Sequence, residues 1–173
     1  LANSRIDFTF HGKAAHAAAA PQLGRSALDA CELMNVGVNY LREHMPDSAR
    51  VHYAYMDAGG VAPNVVQAKA TVRQLVRAAD LDTLRDLVLR VRSIGDGAAM
   101  MTGTTVETKV YSGVSNLVGN RPLEETMQRE FEKLGPVPFE ADDASLANDI
   151  RKTLTKDDII ASFQRIGLET PED

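Results

Sequence analysis

The sequence predicts an α+β fold. It is a two-layer sandwich in which a four-stranded antiparallel sheet carries two helices on one face, the ferredoxin-like βαββαβ arrangement, followed by a helical C-terminal tail. Three observations carry this. Four short stretches alternate apolar and polar residues with the two-residue period of a half-buried strand. Two longer stretches repeat apolar residues at helical spacing, each with a single stripe. Their order is strand, helix, strand, strand, helix, strand. A sheet with one apolar face and two one-striped helices is solved most simply when both helices cover that face.

The first strand runs from Arg5 to Phe10, with Ile6, Phe8 and Phe10 on one side and Asp7, Thr9 and His11 on the other. A loop rich in small residues follows, through Gly12, His16, Pro21 and Gly24. Ser26 is the expected N-cap of the first helix. Its stripe is Ala27, Leu28, Cys31, Met34, Val38, Leu41 and Met45, and Pro46 terminates it. Arg50 to Asp57 reads as the second strand, with Val51, Tyr53 and Tyr55 opposite His52, Ala54 and Met56. After the turn at Gly59-Gly60 and the Pro63-Asn64 step, Val65 to Arg77 reads as the third. There Ala68, Ala70, Val72, Gln74 and Val76 share one face, and Lys69, Thr71, Arg73, Leu75 and Arg77 the other. Asp80 caps the second helix, whose stripe is Leu84, Leu87, Val88, Val91, Ile94, Ala98 and Met101, and Gly103 ends it. Thr104 to Tyr111 closes the sheet with Val106 and Val110 inward.

Beyond Asn120 the pattern changes to charged amphipathic helices, expected over 121–134, 144–154 and 156–166, with a frayed LETPED at the end. The expected domain division is therefore 1–115 for the sandwich and 116–173 for the start of a further, incomplete segment. The chain opens at Leu1 rather than Met and reaches a strand at once, which reads as a piece of a longer protein.

Composition removes several classes of function. A net charge of −5, with no run of Lys and Arg, provides no field for nucleic acid. No apolar run approaches the roughly 20 residues of a membrane span, and the sequence shows no signal-peptide pattern. One cysteine, Cys31, excludes an internal disulfide and a cysteine-rich metal site, and fits a reducing compartment. The four histidines, His11, His16, His44 and His52, form no pair with Asp or Glu at metal-ligand spacing, so no metal site is expected in this chain. The acidic pairs Asp142-Asp143 and Asp157-Asp158 sit at helix starts, where carboxylates complement the dipole.

Three polar residues stand apart. His16 rises from a loop of small residues between a strand and a helix, a placement that delivers an imidazole but equally suits a solvated loop histidine. Asn64 follows the glycine turn. Arg77 closes a strand whose solvated side also carries Lys69 and Arg73; it could clamp a carboxylate or simply form a basic strand edge.

Two long segments, GKAAHAAAAPQLGRSALDA and YAYMDAGGVAPNVVQAKATVRQLVRA, resemble the lid, or dimerisation, domain of the peptidase M-twenty family of metal-dependent aminoacylases and carboxypeptidases. The resemblance spans residues 3 to about 120 and is nearest to the aminobenzoyl-glutamate hydrolase branch. It implies a lid domain of a cytoplasmic amidohydrolase that cleaves N-acyl amino acids. A separate catalytic domain would hold two divalent ions, Zn or Mn, and this chain alone would be inactive. The resemblance makes His16 the lid histidine that binds the scissile carbonyl and its oxyanion in the partner subunit's site. It makes Asn64 and Arg77 substrate contacts, the arginine through the substrate carboxylate. It implies a homodimer through the edge strand 50–57, with a second kind of subunit also possible. The alternative class is a non-catalytic dimeric module that binds a small acid.

Overall fold

The computed structural model describes residues 1–169; of the closing LETPED, residues 170–173 lie outside the described part. The chain divides into two compact units, Leu1–Val118 and the residues from Gly119 onward.

In the first unit the strands are β1 (Ala2–His11), β2 (Arg50–Asp57), β3 (Lys69–Ala78) and β4 (Thr105–Val114); the helices are α1 (Ala27–Leu41) and α2 (Leu81–Thr102). The sheet order is β2-β3-β1-β4 and every neighbouring pair is antiparallel. Both helices pack on β1 and β3 and against each other, so they lie on the same face. The α+β two-layer sandwich expected from the sequence is what forms.

Alternation decides which residues the helices cover. Ile6, Phe8 and Phe10 of β1 and Val72, Gln74 and Val76 of β3 are fully buried under α1 and α2, with Met34, Val38, Leu87 and Val91 above them. Burying one such large apolar side chain contributes about 1.5–3 kcal/mol. Gly95 lets α2 close onto this layer, because a Cβ there would come within 2.9 Å of the Phe8 ring. The caps are those the sequence predicts. Ser26 Oγ accepts from the Asp29 amide, Asp80 from the Thr83 amide, and Gly103 turns left-handed at φ 64° to stop α2.

Four expectations need correction. The third strand starts at Lys69 rather than Val65, because the Val65 amide closes a turn onto Ala62 O and the backbone groups of 66–68 are bonded to Ala15, Ala27 and Gly12 instead of to a strand. Met101 lies outside the α2 stripe and is exposed. Val110 faces the helix layer opposite Ile6 but stays half exposed, since β4 is an edge that neither helix fully covers. The fourth helix begins at Ala141, not Ala144: Glu140 caps it reciprocally with Asp143, which places Asp142 and Asp143 in its first turn.

The second unit contains α3 (Arg121–Leu134), α4 (Ala141–Arg151) and α5 (Lys156–Arg165). None of its described residues is buried. Asn120 caps α3, and Thr155 with Asp158 forms a reciprocal cap on α5. No helix among the described residues is long and apolar enough to cross a membrane.

Candidate functional site

The loop between β1 and α1 is held by backbone bonds. Lys13 and Arg25 exchange two of them, at 2.8 and 2.9 Å, closing the loop at its base. Gly12 N–H donates to Ala68 O at 2.8 Å and Ala27 N–H to Gln67 O at 2.8 Å, fastening both ends to the segment before β3. The closure needs a glycine: a Cβ on residue 12 would lie 2.0 Å from Arg25 O. The tip is anchored as well. Ala17 N–H donates to Asn64 O at 2.9 Å, and Val66 N–H to Ala15 O at 2.9 Å.

His16 sits on this tip, bridged to Val65 and exposed. Its Nδ1 accepts the amides of Ala18 (3.2 Å) and Ala19 (3.1 Å), as a capping side chain does at the start of a turn. A nitrogen that accepts two N–H groups carries no proton, so the neutral ring bears its proton on Nε2. Nε2–H makes no bond among the described residues. The run of alanines supplies the two amides without any bulk that would crowd the ring. The result is a fixed imidazole with one hydrogen-bond donor presented to solvent.

The structure brings Asn64 to His16, since the Asn64 backbone holds the residue after the histidine. It does not bring Arg77 to them within one chain. Asn64 precedes β3, and Arg77 lies eight residues beyond Lys69 along it. At about 3.3 Å per residue that strand alone separates Lys69 from Arg77 by roughly 26 Å. Arg77 pairs in register with Asn3 on β1 and Arg50 on β2, at the other end of the sheet.

Arg77 projects from the sheet face the helices leave open. Arg73 on the same face is engaged by Asp7 in a forked pair, Nε to Oδ1 at 2.6 Å and Nη2 to Oδ2 at 2.9 Å. The Arg73 guanidinium also lies 4.0 Å from the centre of the Tyr111 ring. Arg73 holds the Asp7 carboxyl below the usual carboxylate range, chiefly through this hydrogen bond. Beside this pair, Thr9 and Thr71 join hydroxyls at 3.0 Å. A depression of about 350 Å³ on the open face is lined by Arg5, His52, Ala54, Arg73 and Leu75 together with Tyr53 and Met56. Arg5 was not among the sequence candidates; the alternation of β1 does place it beside Asp7 on the solvated side. Among the described residues no three His, Cys, Asp or Glu side chains come together in a way that could hold a metal ion.

The sequence profile described as Peptidase dimerisation domain, of the M-twenty peptidases, matches residues 3–98. The chain is 44% identical over 167 residues to one of the p-aminobenzoyl-glutamate hydrolase subunits of Escherichia coli strain K12, covering 96% of this chain and 35% of that protein. It is 31% identical over 147 residues to the Xaa-Arg dipeptidase of Mus musculus, covering 84% of this chain and 34% of that one. In fold it resembles the crystal structure of an aminobenzoyl-glutamate utilization protein from Klebsiella pneumoniae. That match has a TM-score of 0.66 at 21% identity, over 84% of this chain and 39% of the other. The chain thus spans about a third of the length of the curated relatives it matches. From the profile, and from the two-layer sandwich that carries it, the chain belongs to the peptidase dimerisation domain family of the M-twenty amidohydrolases.

Proposed function

We propose that this chain is the lid of a metal-dependent amidohydrolase that cleaves the amide bond of N-acyl amino acids of the aminobenzoyl-glutamate kind. The observation that carries the reading is the His16 ring, whose Nδ1 is occupied by two backbone amides so that Nε2–H points outward. A preorganised N–H donor is what a scissile carbonyl needs as its oxygen gains charge, and removing one such donor typically costs about a hundred- to a thousand-fold in kcat. The side chain of Asn64, whose backbone carbonyl accepts from the residue after His16, offers an amide to the same substrate. Arg77 takes the substrate carboxylate in a forked pair. Residues 116–173 are the return to the rest of the amidohydrolase, and the protein works in the cytoplasm. The pair of divalent ions, Zn or Mn, belongs to that remainder; when bound they supply the activated water.

The dimer explains how Arg77 joins a site some strand-length away. β2 is a sheet edge, and an uncovered edge is the natural place for a second copy to pair. A two-fold axis that pairs β2 antiparallel with its mate sets the Arg50 end of one protomer against the Asp57 end of the other. Arg77 lies next to Arg50, while Asn64 and His16 lie beyond Asp57 and Lys69. One protomer's His16 and Asn64 thereby share an end of the joined sheet with the partner's Arg77. The homodimer is this reading's first choice; a second kind of subunit is the variant suggested by the name of the bacterial relative.

The experiment is hydrolysis of p-aminobenzoyl-glutamate by the full-length protein, wild type beside His16→Ala, with and without chelator. The expected result is activity that chelator abolishes and that His16→Ala lowers about a hundred- to a thousand-fold in kcat. Inactivity on this substrate and on a panel of N-acyl amino acids would instead point to a binding module.

A further inference from the structure

The open face of the sheet carries more positive charge than one carboxylate clamp requires, in a chain whose net charge is −5. Not all of it is free. Arg73 is neutralised by Asp7 and stacked on Tyr111, and Arg50 donates to the carbonyls of Asp47 and Ala49. Arg5 and Arg77 are different. Both are exposed, and neither guanidinium makes a hydrogen bond or ion pair among the described residues.

Register makes these two neighbours. Arg5 on β1 stands opposite Leu75 on β3, and Arg77 is two residues further along β3 on the same face. Such diagonal neighbours lie about 7–8 Å apart at the backbone, within joint reach of two long side chains. Leu75 lies between Arg5 and His52 across the sheet and belongs to the lining of the 350 Å³ depression. Two unpartnered guanidinium groups beside an apolar patch match a short diacid, its carbon chain on Leu75 and one carboxylate on each arginine.

We propose that Arg5 is a specificity-determining residue that binds the second carboxylate of an acidic amino acid, next to the carboxylate held by Arg77. The inference rests on the amidohydrolase reading above and deepens it. It selects glutamate- or aspartate-type substrates over neutral ones, and it disfavours a basic side chain, which would meet two like charges.

The test compares kcat/KM of the full-length enzyme on N-acyl-glutamate and N-acyl-leucine, for wild type, Arg5→Gln and Arg5→Lys. The expected result for Arg5→Gln is a glutamate-to-leucine preference reduced by about tenfold or more, mainly through KM for the glutamate substrate. Arg5→Lys, which keeps the charge but loses the fork, should fall between the two. A preference unchanged in Arg5→Gln would overturn the proposal while leaving the amidohydrolase intact. A full-length protein that hydrolyses neither substrate would overturn both.

Discussion

The two faces of one sheet obey different rules. Under the helices, β1 and β3 contribute Phe8, Phe10, Val72 and Val76 to a layer from which water is excluded. On the open side, the intervening residues of the same strands include Arg5, Asp7, Arg73 and Arg77, partly paired and partly not. The covered face holds the fold together, and the open face is available for recognition. A period of two residues keeps the tasks apart, since each position belongs to one face only.

That division can be broken at several points. The largest effect is expected from Phe8→Ala, which opens a cavity beneath Gly95 and Met34 and should cost about 3–5 kcal/mol in urea denaturation. Arg77→Ala on the other face should leave the denaturation midpoint where it was while weakening substrates that carry a free carboxylate. Equal destabilisation by both would dissolve the distinction between the faces.

Gly12→Ala should act between these extremes. The added Cβ collides with Arg25 O, so the loop must shift while the sheet remains. Amide exchange at Ala18 and Ala19 should accelerate, and kcat should drop by about tenfold or more, because small displacements of a catalytic group are costly. Unchanged protection at those two amides would mean that the loop base does not position His16.

A smaller effect separates the paired charge from the free ones. Arg73 holds the Asp7 carboxyl below its ordinary value of 3.8, so the pair stabilises the fold above that value and the contribution fades as pH falls through the lower folded value. Wild type and Asp7→Asn should therefore melt apart at neutral pH and converge on strong acidification. A constant gap down to acid pH would assign Asp7 a role other than charge. The smallest effect concerns the covered face. Burial pushes the Cys31 thiol up to about 12, so it should not react with a thiol reagent at neutral pH until the chain unfolds.

Much of the covered face was legible in the sequence, because hydrophobic alternation and helical spacing are properties of neighbouring residues. Ser26, Asp80 and Gly103 punctuate the helices as their chemistry requires. The segment 65–68 misled because Val65 and Val66 look like strand residues, while the Val65 amide closes a local turn onto Ala62 and the Val66 amide bonds to a loop about fifty residues earlier in the chain. The open face was less legible. His16 could be picked out by its surroundings of alanine, but the bonds from Ala18 and Ala19 that fix its tautomer depend on the turn. The short sequence spacing between Asn64 and Arg77 conceals a strand's length between them. That Arg73 is neutralised while Arg5 is free follows from register between β1 and β3, which no local pattern records.

His16 and Asn64 of one protomer are expected to work with the partner's Arg77. Mixing two full-length variants, His16→Ala and Arg77→Ala, under conditions that exchange protomers tests it directly. If the site is shared as argued, each mixed dimer contains one site with an intact histidine and an intact arginine, and activity rises well above that of either variant alone. If both residues serve the same site from a single protomer, every site in the mixture keeps one defect. Activity would then stay at the level of the separate variants, contradicting the account.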